Sequence, residues 1–426
     1  MLSFAAVAPR TGQAESLPPI VFVPLDDRPV TLQLPVLLAK IAGRELVIPP
    51  RPLLGHYLVP GDSDAILDWL ATPATESASA FVCSADMIAY GGLVASRTPR
   101  TAPYTAVVRL RELAAIHHAH PHAPLDVFGT VMRLAPTGLP SLPATAGEWA
   151  VGKTVNDLQS YANLPDPPQT PDDSTSAEHL RDLIPPQILA AYLASRARDR
   201  DVDLYELGLA FQGDFDRIVI GQDDAGPVGL HVRDVAALSA AAHRYHLGTR
   251  ASIEPGADEL GMVLLASVFA REAGWRPTVR VRYSRTDAAQ INDPLEFVPI
   301  DVTITRLIVA AGATRIDGPA DIDLFVNVAG TNASDAQAFV DSIAADIAAG
   351  ASATVADLTF LAGPPPSVEQ QSLTQTLLAR KLAGSLDGFA SWNTTANTVG
   401  TSLATAIAAG AGRRTHRYEA RAAAEF

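Results

Sequence analysis

Three short runs of the 426-residue chain concentrate residue types suited to acid/base work: Asp26-Asp27-Arg28, Gln222-Asp223-Asp224 and Asp258-Glu259. Neighbouring carboxylates repel, so one can stay protonated as an acid while the other stays ionised. Glycosidases divide labour between two carboxyl groups in this way. In substrate-assisted hexosaminidases, adjacent acids orient an acetamido group and protonate the leaving oxygen. Asp223 and Asp224 are the first acid/base candidates, with Asp26, Asp27, Asp258 and Glu259 as supporting or substitute carboxylates. The same oxygens can ligate Mg²⁺, Mn²⁺ or Ca²⁺. Plain structural roles also exist. Asp-Asp-Ala-Gly makes a good turn, Asp26 can cap a helix, and acids in a first helical turn suit the helix dipole.

Other residues offer binding rather than proton transfer. Arg28, Arg97 and Arg133 suit an anion, and Asp86, Tyr90 and Gln222 suit polar hydroxyls. Trp392 can stack on a sugar face, while Asn393 and Asn397, four apart, share a face if both are helical. Asn327 and Asp357 close two further apolar runs.

Asp26, Asp27, Asp86, Gln222, Asp223, Asp224, Asn327, Asp357, Trp392 and Asn393 stand at or just after short apolar runs that read as buried strands, whereas Asp258 and Glu259 open a helix. The runs are Ile20–Leu25, Leu46–Ile48, Ala80–Ser84, Leu125–Met132, Arg217–Gly221, Thr278–Tyr283, Asp323–Val328, Ala353–Leu358 and Gly388–Trp392. Amphipathic helices lie between them, and alternating β and α over a whole chain means parallel sheet. Nine runs fit a TIM-type β/α barrel with an inserted excursion over residues 136–200. They also fit two doubly wound α/β lobes with a cleft, the lobes meeting near residues 245–260. Residues 19–415 form the α/β unit on either reading. Both architectures gather strand-end residues on one face. The chemistry-bearing residues are therefore expected in one pocket.

Composition excludes several partners. The net charge of −14, with 18% charged residues, offers no electrostatic footprint for nucleic acid. No apolar run reaches the ~18 residues of a membrane span. The single cysteine, Cys83, rules out intramolecular disulfides and cysteine zinc cages. Only three of the 32 basic residues are lysines, which leaves few Schiff-base candidates. There is no Gly-x-Ser-x-Gly elbow. Gly147–Thr154 matches the P-loop letter for letter, yet it follows a proline-broken loop instead of a strand. His117, His118, His120 and His122 read as a solvated helix end. Residues 1–18 read as a disordered tail or a signal-peptide remnant, which favours a secreted or extracytoplasmic location.

Taken in order, Leu25–Pro29, Ser84–Arg97, Gly221–Asp224, Gly256–Glu259, Asn292–Pro294 and Trp392–Thr394 with Asn397-Thr398 resemble the bacterial family called domain of unknown function 4127. The resemblance runs from about residue 20 to 410. It implies one unit and one site, not a reaction. The residues themselves favour a glycosidase-like, carbohydrate-active hydrolase acting on a small-molecule or glycan substrate without an obligatory cofactor. Two alternatives stay open: a non-catalytic protein that binds a sugar or an anionic small molecule, and a hydrolase using a divalent metal on Asp ligands.

Overall fold

In the computed structural model, residues 17–137, 153–362 and 368–426 are described. Residues 1–16 of the expected tail and residues 147–152 of the P-loop-like stretch lie outside them. The described strands form two sheets. The first contains β1 (Ile20–Val23), β2 (Leu46–Val47), β3 (Ala80–Ser84), β4 (Leu125–Val131), β5 (Arg217–Gln222) and β6 (Ala251–Pro255). The second contains β7 (Thr278–Tyr283), β8 (Thr314–Arg315), β9 (Ile322–Asn327), β10 (Ser352–Asp357) and β11 (Gly388–Ala390). Every pairing within the sheets is parallel. No helix among the described residues is long and apolar enough to cross a membrane.

The strands do not close into the TIM-type barrel. Each sheet is open, running β2-β1-β3-β4-β5-β6 and β11-β10-β9-β7-β8. Two short strands outside the nine apolar runs explain the difference. β6 reads Ala-Ser-Ile-Glu-Pro, with a buried Glu254 where a core strand would carry an apolar residue. β8 has only two residues. The arrangement is compatible with the two-lobed alternative. Counted from its own first strand, each lobe has the order 2-1-3-4-5, and the first lobe adds a sixth strand. The order reverses at β1 and again at β7. In open α/β sheets, ligand crevices lie at such switch points, outside the carboxyl ends of the strands.

Two helices fill the space between the sheets. Leu260–Ala270 is buried without interruption within the Leu260–Glu272 helix, and so is Thr395–Ala409 within the Thr395–Arg414 helix. A helix with no polar face must be enclosed on all sides. The core that encloses them runs from Phe22 and Phe128 of the first lobe, through Leu264, Val268, Leu403 and Ile407, to Leu324 and Val326 of the second. A large apolar junction of this kind holds two lobes as one body.

The 136–200 region forms helices Lys153–Ala162, Pro171–Leu183 and the start of Pro186–Gln212. The first two pack with Tyr192 of the third, and with Met132, Leu134 and Ala225 beyond β4 and β5, in a small separate core around Leu158 and Tyr161. The third is no surface excursion. Its inner face buries Asp199, Val202, Asp203 and Glu206 in the first lobe.

Candidate functional site

A cavity of about 360 Å³ opens at the carboxyl ends of the first sheet. Segments after all six strands contribute to it: Arg28 after β1, Tyr57 beyond β2, Arg97 beyond β3, Arg133 after β4, Gln222-Asp223-Asp224 at the end of β5, and Gly256-Ala257-Asp258 after β6. The second lobe closes it with Asn393, Thr394 and Asn397, where β11 leads into the Thr395–Arg414 helix. That helix start is positioned by its own cap, Thr394, whose Oγ1 accepts from the Asn397 amide. Two further acids hold it: Asp293 accepts from the Thr395 N–H at 2.7 Å and Glu296 from the Ala396 N–H at 2.5 Å. The free N–H groups of the first turn are thus satisfied internally.

Each carboxylate of the cavity is met by a guanidinium. Arg28 donates bidentately to Asp258, at 2.5 and 3.1 Å, and through Nε to Asp26 at 2.7 Å. Such fork-shaped pairs are the strong ones. Arg97 and Asp223 form a close ion pair with both side chains buried. Arg133 stands 3.5 Å from Asp224, beyond the length of a good charge-assisted bond. The adjacent acids therefore have different surroundings. Burial, and then repulsion from Asp223, push the Asp224 carboxyl up to about 6. Burial also raises Asp258, against the opposing pull of Arg28. Among the described residues, no three His, Cys, Asp or Glu side chains converge as a metal-binding group.

Backbone strain gathers at this cavity. Six described non-glycine residues have φ in the left-handed region. His246, Lys381 and His416 follow helix ends, where that conformation is an ordinary terminator. The other three, Tyr57 (φ 49°), Asp224 (φ 24°) and Asn393 (φ 54°), all line the cavity. Such residues persist only where the surroundings over-determine them, and they concentrate at ligand sites.

The expectation of one common pocket is met in part. Arg28, Arg97, Arg133, Gln222, Asp223, Asp224, Asp258, Asn393 and Asn397 share it. Asp26 and Asp27 line a smaller adjoining cavity of about 60 Å³, which has Arg28 as a common wall. Asp27 faces His56 there, at 2.9 Å. Glu259 lies beneath the pocket, fully buried, and accepts from the Asn397 side-chain amide at 2.5 Å. Asp86 and Tyr90 are buried under the floor, where Asp86 accepts from Thr130 and the Tyr90 ring lies under the Arg198 guanidinium.

Three residues lie elsewhere. Trp392 is not part of the wall. Its indole N–H donates to Thr401 at 3.2 Å. Asn327 lines a separate cavity of about 390 Å³ in the second lobe. Its amide donates to the fully buried Asp357. From the second lobe, the segment after β7, through Leu295, and the segment after β11, through Asn393, Thr394 and Asn397, reach the shared pocket.

Tyr57 and Leu295, both exposed at the pocket wall, were not among the expected residues. Tyr57 follows β2, the weakest strand signal. It sits in a tight reversal closed by a His56–Val59 bridge. An aromatic residue between Gly55 and Pro60 is the one sequence cue to it.

No curated protein matches the chain, and no solved structure does. The family model described as a protein of unknown function, DUF4127, matches residues 20–424. That span covers both sheets, both junction helices and every residue of the pocket, and the chain belongs to this family.

Proposed function

We propose that the inter-lobe pocket is the active site of a carbohydrate-active hydrolase, with Asp224 as acid/base and Asp223 as its ionised neighbour. The observation that carries this reading is the unequal surroundings of two adjacent carboxyls. Asp223 is clamped by buried Arg97, whereas Asp224 is pushed up to about 6 and only loosely held. A carboxyl titrating near 6 can give and take a proton around neutral pH. In the step proposed, the Asp224 proton passes to the glycosidic oxygen as its bond to the anomeric carbon breaks. The ionised Asp223 stabilises the positive charge that develops on the sugar ring. Water then adds to the anomeric carbon, and its proton returns to Asp224. Gln222 Oε1 and Thr137 Oγ1 are buried at the pocket wall without partners among the described residues. Buried polar atoms of this kind call for water or a ligand. The test is a panel of aryl glycosides, N-acetylhexosaminides included, with wild type and Asp224→Asn. Turnover by wild type and its loss in the variant support the reading. No turnover of any glycoside or natural glycan at high enzyme loading ends it.

A second reading keeps the pocket and drops the chemistry: a sugar-binding protein whose site is shared between two lobes. It is favoured by the number of arginine-paired acids, which hold hydroxyls without needing to exchange protons. Calorimetry showing tight sugar binding with no product formed selects it.

A further inference from the structure

Arg133 differs from the other two arginines of the pocket. Arg28 is held at three nitrogen atoms by Asp26 and Asp258, and Arg97 is committed to Asp223. Arg133 is oriented through its Nε, which donates to the Ala135 carbonyl at 2.9 Å. The Arg133 side chain lines the cavity. The carboxylate opposite, Asp224, is 3.5 Å away. The other charged groups acting on Arg133 are Arg97, which repels it, and Asp223, which Arg97 already engages. Thr137, on the same wall, has a buried hydroxyl with no partner among the described residues.

Putting a proton on Asp224 has a consequence for this arrangement. As an acid Asp224 is neutral, and Arg133 then faces the cavity beside a second guanidinium with no carboxylate of its own. An unpaired, largely buried charge is costly unless something replaces the missing partner. The guanidinium fork fits the planar or tetrahedral oxygens of a carboxylate or sulfate, and Thr137 can donate to the same group. We infer that the ligand of this pocket carries an anionic substituent, a carboxylate or a sulfate, that pairs with Arg133. The inference rests on the proposed role of Asp224 and names the substrate class: acidic sugars, not neutral ones.

The test is calorimetry on the full chain at pH 5.5 with D-glucuronate, D-glucose 6-sulfate and D-glucose. At least one of the two anions should bind about tenfold or more tighter than D-glucose, as expected for a hydrogen-bonded charge pair. The anion preferred distinguishes a carboxylate from a sulfate ligand. In Arg133→Gln the anion-to-glucose ratio should collapse towards one. Arg133→Lys, which keeps the charge without the fork, should retain part of it. If Arg133→Gln fails to fold, the wild-type ratio and the Lys variant decide the matter. Equal or better binding of D-glucose, no measurable binding of either anion, or an unchanged ratio in Arg133→Gln overturns the inference. Its failure is separable from that of the hydrolase reading. Preferential anion binding without turnover of any glycoside refutes only the hydrolase. Turnover of neutral glycosides with no preference for acidic ones refutes only the inference.

Discussion

The two lobes share a strand order and use its carboxyl edge in opposite ways. In the first lobe strand-end polar groups line a common space, and Gln222 Oε1 and Thr137 Oγ1 have no partner among the described residues. In the second several pair with one another, although Asp357 Oδ2 is buried without a partner among the described residues. Asp357 Oδ1 accepts from the Asn327 amide, the Thr359 N–H and the Thr359 hydroxyl. Ser284 Oγ meets the Thr331 hydroxyl and accepts from the Val328 N–H. Standing after a parallel strand is therefore not enough to make a functional residue. What separates the lobes is whether the polar groups from several strands converge on one cavity or pair mainly with their immediate neighbours.

The largest effect should come from the acid of the first lobe. Asp224→Asn should lower turnover of a responsive glycoside about 10²- to 10⁴-fold, the usual worth of a positioned acid/base. Wild-type activity should fall as pH rises through about 6, because the acid form is then lost. That limb should be missing from the variant's residual activity. A fall below twofold would put the two lobes on the same functional footing.

Backbone changes should separate them next. Gly256 has φ +105° at the pocket wall, and a Cβ there would sit 1.8 Å from Glu259 Oε1. Gly256→Ala should cost roughly 3 kcal/mol or more. In the second lobe, Gly350 has φ +76° but open space around it, so Gly350→Ala should cost only about 1 kcal/mol. Urea midpoints measure both, and equal costs would remove the contrast.

The interior of the first lobe also carries a distinctive proton inventory. Burial, reinforced by mutual repulsion, raises Asp86, Asp203 and Glu206 well above the ordinary carboxyl range. Asp199 is pushed by burial to about 7. Raised acids keep protons that the unfolded chain releases. Their contribution to stability is full below the unfolded value of about 4 and is lost as pH climbs to the folded values. The urea midpoint should therefore be lower at pH 8 than at pH 5, with a shallower dependence in Glu206→Gln. A midpoint that rises over this window would contradict the sign.

Smaller effects complete the comparison. Asp357→Ala strands the donors of Asn327 and Thr359, and should cost about 1–3 kcal/mol of stability while turnover per folded molecule is retained. Tyr57→Ala should weaken sugar binding several-fold, by about 1 kcal/mol, through loss of an aromatic face at the mouth. Tyr57→Phe should retain most of it.

Much of this was readable in the residues. A fully buried parallel strand is an apolar run, so Ala80–Ser84 is bounded in the structure as the sequence suggests; Thr278–Tyr283 keeps its expected bounds too, although it is mostly half-buried and alternates with arginines. The two-lobed arrangement was readable only as one of two alternatives, because the choice depends on β6, which carries a buried glutamate, and on the two-residue β8. The acid pair was legible from adjacency alone, since repulsion between neighbours follows from covalent spacing. The buried acids were not. Asp199, Asp203 and Glu206 lie on one helical face, a pattern that normally marks a solvated surface. Trp392 shows the converse. An indole at a strand end suggests a stacking platform, but its N–H donates to the Thr401 hydroxyl on the Thr395–Arg414 helix.

The central claim is that the inter-lobe pocket raises one carboxyl of an adjacent pair to about 6, close enough to neutral pH to exchange a proton. Carbon NMR of a chain labelled at aspartate side-chain carboxyls tests it without knowing the substrate. The Asp224 resonance, assigned by its absence in Asp224→Asn, should titrate at about 6. Titration near 4, the value of an ordinary aspartate, would contradict the account.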